Sequence, residues 1–263
     1  MRRLLGIVAL LILSTGLTAC SQGTEDGERS TGKGGTLHRA TTNAREDETT
    51  SPDAAQWNYV ALGDSLAAGV GARQGYVERY ARYLRDDTGA RVKLINLGVS
   101  GQTSSQLLRA LEHNPSVRNR LRDAEVVTYN IGINDLGQAR GSYDAGTCGG
   151  SQGERCLRAA VKVFEANWDK ITTEIQNLRS PDETIIRTAG LGYTPRAGKS
   201  FEPYLKRANR HIAASAARSN IPYAEVSLGN EGLSPDGLHP DDSGYEAIAD
   251  RLRGLEYEPL SSR

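Results

Sequence analysis

Short apolar runs alternate with amphipathic stretches along most of the chain. Runs at 58–63, 91–97, 125–131, 183–189 and 222–226 are rich in Val, Ile and Leu, as expected of strands covered on both faces. Between them, apolar spacing predicts helices over about 75–87, 103–111, 155–178 and 203–219. A last helix over about 242–253 would carry Tyr245, Ile248, Ala249 and Leu252 on one face. Strands alternating with helices imply βαβ units. The expected fold is α/β, a three-layer α/β/α sandwich around a five-stranded parallel sheet with flavodoxin-like topology. In such sheets ligands sit beyond the carboxyl ends of the strands. Polar residues just after a strand are therefore the ones to inspect for chemistry.

The alternating pattern is missing near the N-terminus. Hydrophobic residues make up 38% of the chain and mean hydropathy is −0.50, but residues 21–56 hold almost no apolar side chains. Such a segment cannot bury enough surface to offset its ordering entropy and reads as a flexible tether. Ahead of it, Arg2 and Arg3 precede an apolar stretch at 4–13. That stretch is too short to span a bilayer comfortably and fits a secretory signal. Leu17-Thr18-Ala19-Cys20 resembles the lipobox of bacterial lipoproteins. The resemblance implies lipidation of Cys20, cleavage before it, and anchoring at the outer face of the bacterial cell membrane. The expected organisation is a signal peptide at 1–19, a lipid-anchored tether at 20–56, one folded domain at 57–257 and a tail at 258–263.

Charge narrows the function classes. The 32 Lys and Arg residues balance 32 Asp and Glu residues, so the chain has no basic footprint for nucleic acid. Of three cysteines, assigning Cys20 to lipid leaves Cys148 and Cys156, an even pair in an oxidising compartment. A bridge between them would close a short Gly-rich loop and stabilise by roughly 2–3 kcal/mol. Free thiols or a metal site are the alternatives, but neither cysteine has a histidine nearby. The His and Cys positions form no zinc pattern, and no metal is expected.

Four stretches hold the polar candidates: Gly63-Asp64-Ser65-Leu66 after the first strand, "NLGVSGQTSS" at 96–105, "NIGINDLG" at 130–137, and "SPDGLHPDD" at 234–242. A serine hydroxyl becomes a nucleophile when a neighbouring base accepts its proton. Histidine suits that task near neutral pH, and a carboxylate on its other ring nitrogen fixes the tautomer. Asp236 lies three residues before His239, within reach of the same ring. Pro240 biases His239 away from helical geometry and into the loop. Oxyanion donors are available in the backbone N–H groups of Ser65 and Gly101 and the side-chain amide of Asn134.

These blocks resemble, in order, the four motif regions of GDSL-type esterases and lipases of the SGNH hydrolase superfamily: GDSL, the glycine block, Gly132-Ile133-Asn134-Asp135 and Asp236-Gly237-Leu238-His239. The resemblance spans about 59–250. It implies Ser65 as nucleophile and first oxyanion donor, with Gly101 and Asn134 completing the hole. His239 would be the base and Asp236 its orienting acid. It also implies an α/β/α fold and no metal or organic cofactor.

Blander readings compete at several positions. Ser65 alone would suit a helix N-cap, and Gly98 competes with Gly101, although the "SGQT" context favours Gly101. Asp64 and Asp135 are expected to pair with backbone donors near the nucleophile turn. His38 falls in the tether, while His113 and His211 suit surface or packing roles. Trp57 and Trp168 suit packing. Ser142, Tyr143, the Cys148–Cys156 loop and the segment 191–203 stand equally as pocket walls or passive connections. Short-chain esters, acetylated cell-wall glycans, lysophospholipids and thioesters all suit this constellation. The rival class is a non-catalytic binding or assembly lipoprotein, disfavoured because none of the five required positions is substituted. Oligomeric state is not legible.

Overall fold

A computed structural model describes residues 54–150, 152–192, 200–226 and 232–260. The signal peptide, Cys20 and all but the last residues of the expected tether fall outside the described residues. The five apolar runs form one parallel sheet: β1 (Gln56–Gly63), β2 (Arg91–Asn96), β3 (Val126–Asn130), β4 (Ile185–Ala189) and β5 (Tyr223–Ala224). Their order is β2-β1-β3-β4-β5, the flavodoxin-like order expected from the sequence.

Alternation along the strands feeds two cores. In β1, Val60 and Leu62 face one apolar cluster, while Tyr59 and Ala61 face the other. The second layer is thin, made by α1 (Tyr76–Thr88) and α7 (Asp242–Arg253). The first is thick, built from α2 (Ser104–His113), α3 (Pro115–Arg122), α4 (Ile133–Asp144), α5 (Arg155–Leu178) and α6 (Glu202–Arg218). Trp168 of α5 is fully buried and stacks on Tyr129 with ring centroids 5.2 Å apart. Trp57 is also buried, so both tryptophans pack as expected. Among the described residues, no helix is long and apolar enough to cross a membrane.

Two helices were not anticipated. In α3 only Leu121 is buried, and in α4 only Leu136 and Ala139, so neither shows the apolar period of a core helix. Both form from end signals instead. Asn114 caps α3, accepting from the N–H groups of Ser116 and Val117, with Pro115 opening the helix. The connection after β3 turns at Gly132 into α4, whose first turn carries Asp135.

The strand order also locates a crevice. The chain moves from β1 outward to β2, then returns to β3 on the other side of β1. In open α/β sheets a ligand site lies where strand order reverses, here beyond the carboxyl ends of β1 and β3.

Candidate active site

Ser65 lies two residues past β1 in a tight turn, not at the start of a regular helix. Backbone bonds from Ala68 N to Asp64 O and from Val70 N to Ser65 O, both 3.0 Å, wind the chain there, and α1 begins only at Tyr76. The Asp64 carboxylate braces the turn by accepting from Leu66 N at 3.0 Å. Tyr245 of α7 donates its hydroxyl to Val70 O at 2.7 Å, tying the turn to the last helix. The Ser65 side chain caps nothing; its Oγ lies 2.8 Å from His239 Nε2.

His239 arrives on a closed loop before α7. Leu233 and Pro240 form an antiparallel bridge, Ser234 N donates to His239 O at 2.8 Å, and Asp241 caps α7. Inside this loop Asp236 Oδ1 accepts from Ser234 Oγ, Leu238 N and His239 N at 2.7, 2.8 and 3.0 Å. Its other oxygen lies 2.6 Å from His239 Nδ1. The bond to His239 leads the effects holding the Asp236 carboxyl well below the usual carboxylate range, and the backbone and Ser234 donors add to it. An ionised carboxylate only accepts, so Nδ1 carries the proton and Nε2 is left to accept from Ser65. The three residues picked from sequence thus form one Asp236–His239–Ser65 relay.

The oxyanion candidates divide. Asn134, in the first turn of α4, lines the same cavity as Ser65 and His239. Its Nδ2 donates one proton to Gln102 O at 2.9 Å, which orients the amide and leaves the second proton for another acceptor. Gly101 is exposed, outside the cavity lining, and joins the site through its neighbour Gln102. Gly98 has a different job. Its N–H is taken by Asn96 Oδ1 at 3.0 Å, and a Cβ there would meet Ala68 N at 2.6 Å. Gly98 therefore allows two backbones to pack closely, and its donor is not free for an oxyanion.

Asp64 and Asp135 stand apart from the relay. Asp135 accepts from Ser104 N and Ser104 Oγ at 2.8 and 2.6 Å, joining the first turns of α4 and α2, and burial raises its pKa. Asp64 is fully buried, and burial raises its carboxyl from 3.8 to about 6. His211 pairs with Asp169 across α5 and α6 at 3.0 Å, a contact between helices that sequence spacing did not reveal. His113 is exposed beside Glu112. Cys148 and Cys156 form a disulfide. Among the described residues, no cluster of His, Cys, Asp and Glu could hold a metal ion.

A cavity of about 380 Å³ opens over the relay. Besides the residues above, Ile133, Gly137 and Arg140 of α4 line it, together with Leu191, Phe201, Leu205 and Leu238. Of the segment 191–203, residues 193–199 lie outside the described residues, while Leu191, Gly192 and Phe201 contribute wall. Ser142, Tyr143 and the described residues of the disulfide loop do not line it. Sequence reasoning missed the α4 wall, although Ile133, Gly137 and Arg140 recur at helical spacing around Asn134.

Residues 61–247 match the GDSL-like Lipase/Acylhydrolase family. The chain is 30% identical over 213 residues to the spore germination lipase LipC of Bacillus licheniformis, covering 77% of this chain and 97% of that protein. An uncharacterized protein, YpmR of Bacillus subtilis, is also 30% identical, over 73% of this chain and 78% of that one. Among solved structures, the lipase Lip_vut3 from a goat rumen metagenome superposes with a TM-score of 0.65 at 27% identity, over 78% of this chain and 99% of that one. The acetylxylan esterase Axe2 of Geobacillus stearothermophilus shares the fold, with a TM-score of 0.59 at 20% identity over 80% and 99% of the two chains.

Proposed function

The chain belongs to the GDSL-like lipase/acylhydrolase family and is a carboxylic ester hydrolase; from that premise we propose that it works through an acyl-enzyme on Ser65, outside the cytoplasm. The observation that carries this reading is the continuous relay from Asp236 through His239 to Ser65, with contacts of 2.6 and 2.8 Å. Ser65 Oγ bonds to the ester carbonyl carbon as His239 Nε2 takes its proton. Asp236 stabilises the imidazolium without taking the proton itself. The carbonyl oxygen becomes an oxyanion held by the N–H group of Ser65 and the second amide proton of Asn134, with the N–H group of Gly101 as the third donor that the family resemblance implies. Its collapse breaks the bond to the alcohol, which leaves with the proton from His239. Water, deprotonated by His239, then attacks the acyl-Ser65 and releases the acid.

The location rests on the lipobox-like "LTAC" at 17–20: Cys20 carries the lipid, and residues 20–56 tether the enzyme at the outer face of the cell membrane. Metabolic labelling with a fatty-acid probe reads this directly. Label on the wild type and none on Cys20→Ser supports it, and equal label on both overturns it.

The catalytic reading is tested with a fluorophosphonate probe and p-nitrophenyl esters. Wild type labels covalently and turns over, while Ser65→Ala and His239→Ala fold normally and do neither. A Ser65→Ala protein that keeps its turnover sinks the assignment.

A further inference from the structure

The cavity lining comes from two chemically different sets of elements, the loop with Asp236, His239 and Pro240 and the wall of α4 with Leu191, Phe201 and Leu205, and this division separates the two halves of an ester. The leaving alcohol must stay beside His239, because Nε2 has to protonate it. The carbonyl oxygen must point toward Asn134. The space left for the acyl part is the wall beyond Asn134, between one face of α4 and the side chains of Leu191, Phe201 and Leu205. That wall is apolar except for Arg140. The Arg140 guanidinium lies 5.6 Å from the centre of the Phe201 ring, and its Nε bonds Asp144 at 2.7 Å. A matched cation of this kind covers apolar surface with its stem.

Midway along this face is Gly137. Asn134, Gly137 and Arg140 follow one another at three-residue steps, so Gly137 lies ~4.5 Å and Arg140 ~9 Å past Asn134 along the helix axis. A Cβ built on Gly137 meets no atom within 4 Å. The residue is therefore not glycine because the backbone is crowded, and its place in a regular helix needs no special φ. Glycine is the poorest helix former after proline, so α4 gives up stability here and gains an open floor. We infer that the groove along α4 takes the acyl chain of the substrate, that this chain is an unbranched aliphatic one longer than acetyl, and that the missing side chain at Gly137 sets how long it can be. An acetyl group would end beside Asn134 and leave the apolar wall wet; a longer chain covers it.

This inference rests on Ser65 being the nucleophile, and its test keeps the two apart. The kcat/KM ratio for p-nitrophenyl octanoate over p-nitrophenyl acetate is measured for wild type, Gly137→Ala, Gly137→Leu and Gly141→Ala, beside Ser65→Ala. Gly141 is in the same helix, outside the cavity lining. Its β-carbon would also meet nothing within 4 Å, so Gly141→Ala stiffens α4 without filling the groove. The expected result is a wild-type ratio above one that falls about tenfold or more in Gly137→Leu, falls less in Gly137→Ala and holds in Gly141→Ala. A ratio unchanged by Gly137→Leu, or moved equally by Gly141→Ala, overturns the groove assignment. Turnover of neither ester above the Ser65→Ala background overturns the catalytic reading instead.

Discussion

Gly71 and His239 meet backbone against ring stem: a β-carbon on Gly71 would come within 2.8 Å of the His239 Cβ and 2.7 Å of the Pro240 carbonyl oxygen. Gly71 also holds a φ of 100°, where any other residue is strained. The turn that carries Ser65 and the loop that carries His239 are therefore in register only while position 71 has no side chain. Gly71→Ala is expected to lower kcat more than it raises KM and to cost about 1–3 kcal/mol of stability. Steady-state kinetics beside a urea melt checks both. A variant with wild-type kcat would show that the loop relaxes without moving His239.

Asp236 orients His239 with one oxygen and holds its own loop with the other. Asp236→Asn keeps an acceptor for the Leu238 and His239 N–H groups, but a neutral amide no longer enforces the working tautomer. On that ground kcat drops on the order of 10³–10⁴-fold while the melting temperature stays near wild type. A drop of only a few-fold would mean that Asp236 serves the loop more than the chemistry.

Burial of Asp64 has a signed consequence. Its carboxyl rises from 3.8 to about 6 on folding, so the native state favours the protonated form. The associated stability is present below pH ~4 and is lost as pH rises through about 6, on the order of 2–3 kcal/mol. Asp64→Asn, which keeps an acceptor for Leu66 N, should therefore be more stable than wild type at pH 8 and little different at pH 4. Denaturant melts at the two pH values decide it, and a difference independent of pH would rule out this origin.

The Cys148–Cys156 bridge closes the connection between α4 and α5. Replacing both cysteines by serine should cost about 2–3 kcal/mol and lower the melting temperature by roughly 5–10 °C. Thermal melts of the double variant and of reduced wild type should agree. A double variant as stable as the oxidised protein would leave the bridge without a stabilising role.

What could be read from sequence follows from what each element faces. Strands β1, β3 and β4 were legible because most of their positions are buried; edge strand β2, which exposes Arg91 and Lys93, was legible from its Val92, Leu94 and Ile95. Strand β5 is only Tyr223–Ala224, shorter than its apolar run, and pairs with β4 at those two residues alone. Helix α4 was missed for a reason tied to the site: the face carrying Gly137 and Arg140 looks into the cavity, which removes the apolar period that betrays a core helix. The relay was legible because Asp236 and His239 sit three residues apart and the Gly-Asp-Ser-Leu turn follows a strand. The far wall was not, since Leu191, Phe201 and Leu205 look like core residues until the fold sets them around a void.

The bond between Ser65 and His239 joins residues 174 positions apart, and every strand except β1 lies between them. On the proposed mechanism, a chain that ends anywhere between residues 65 and 239 has a nucleophile and no base. Catalytic competence thus arrives all at once, late in synthesis, when the last loop docks on the first turn. A growing chain that has not reached His239 is then inert toward esters, so ester turnover in this protein reports completion of the whole sheet and not the folding of any one part.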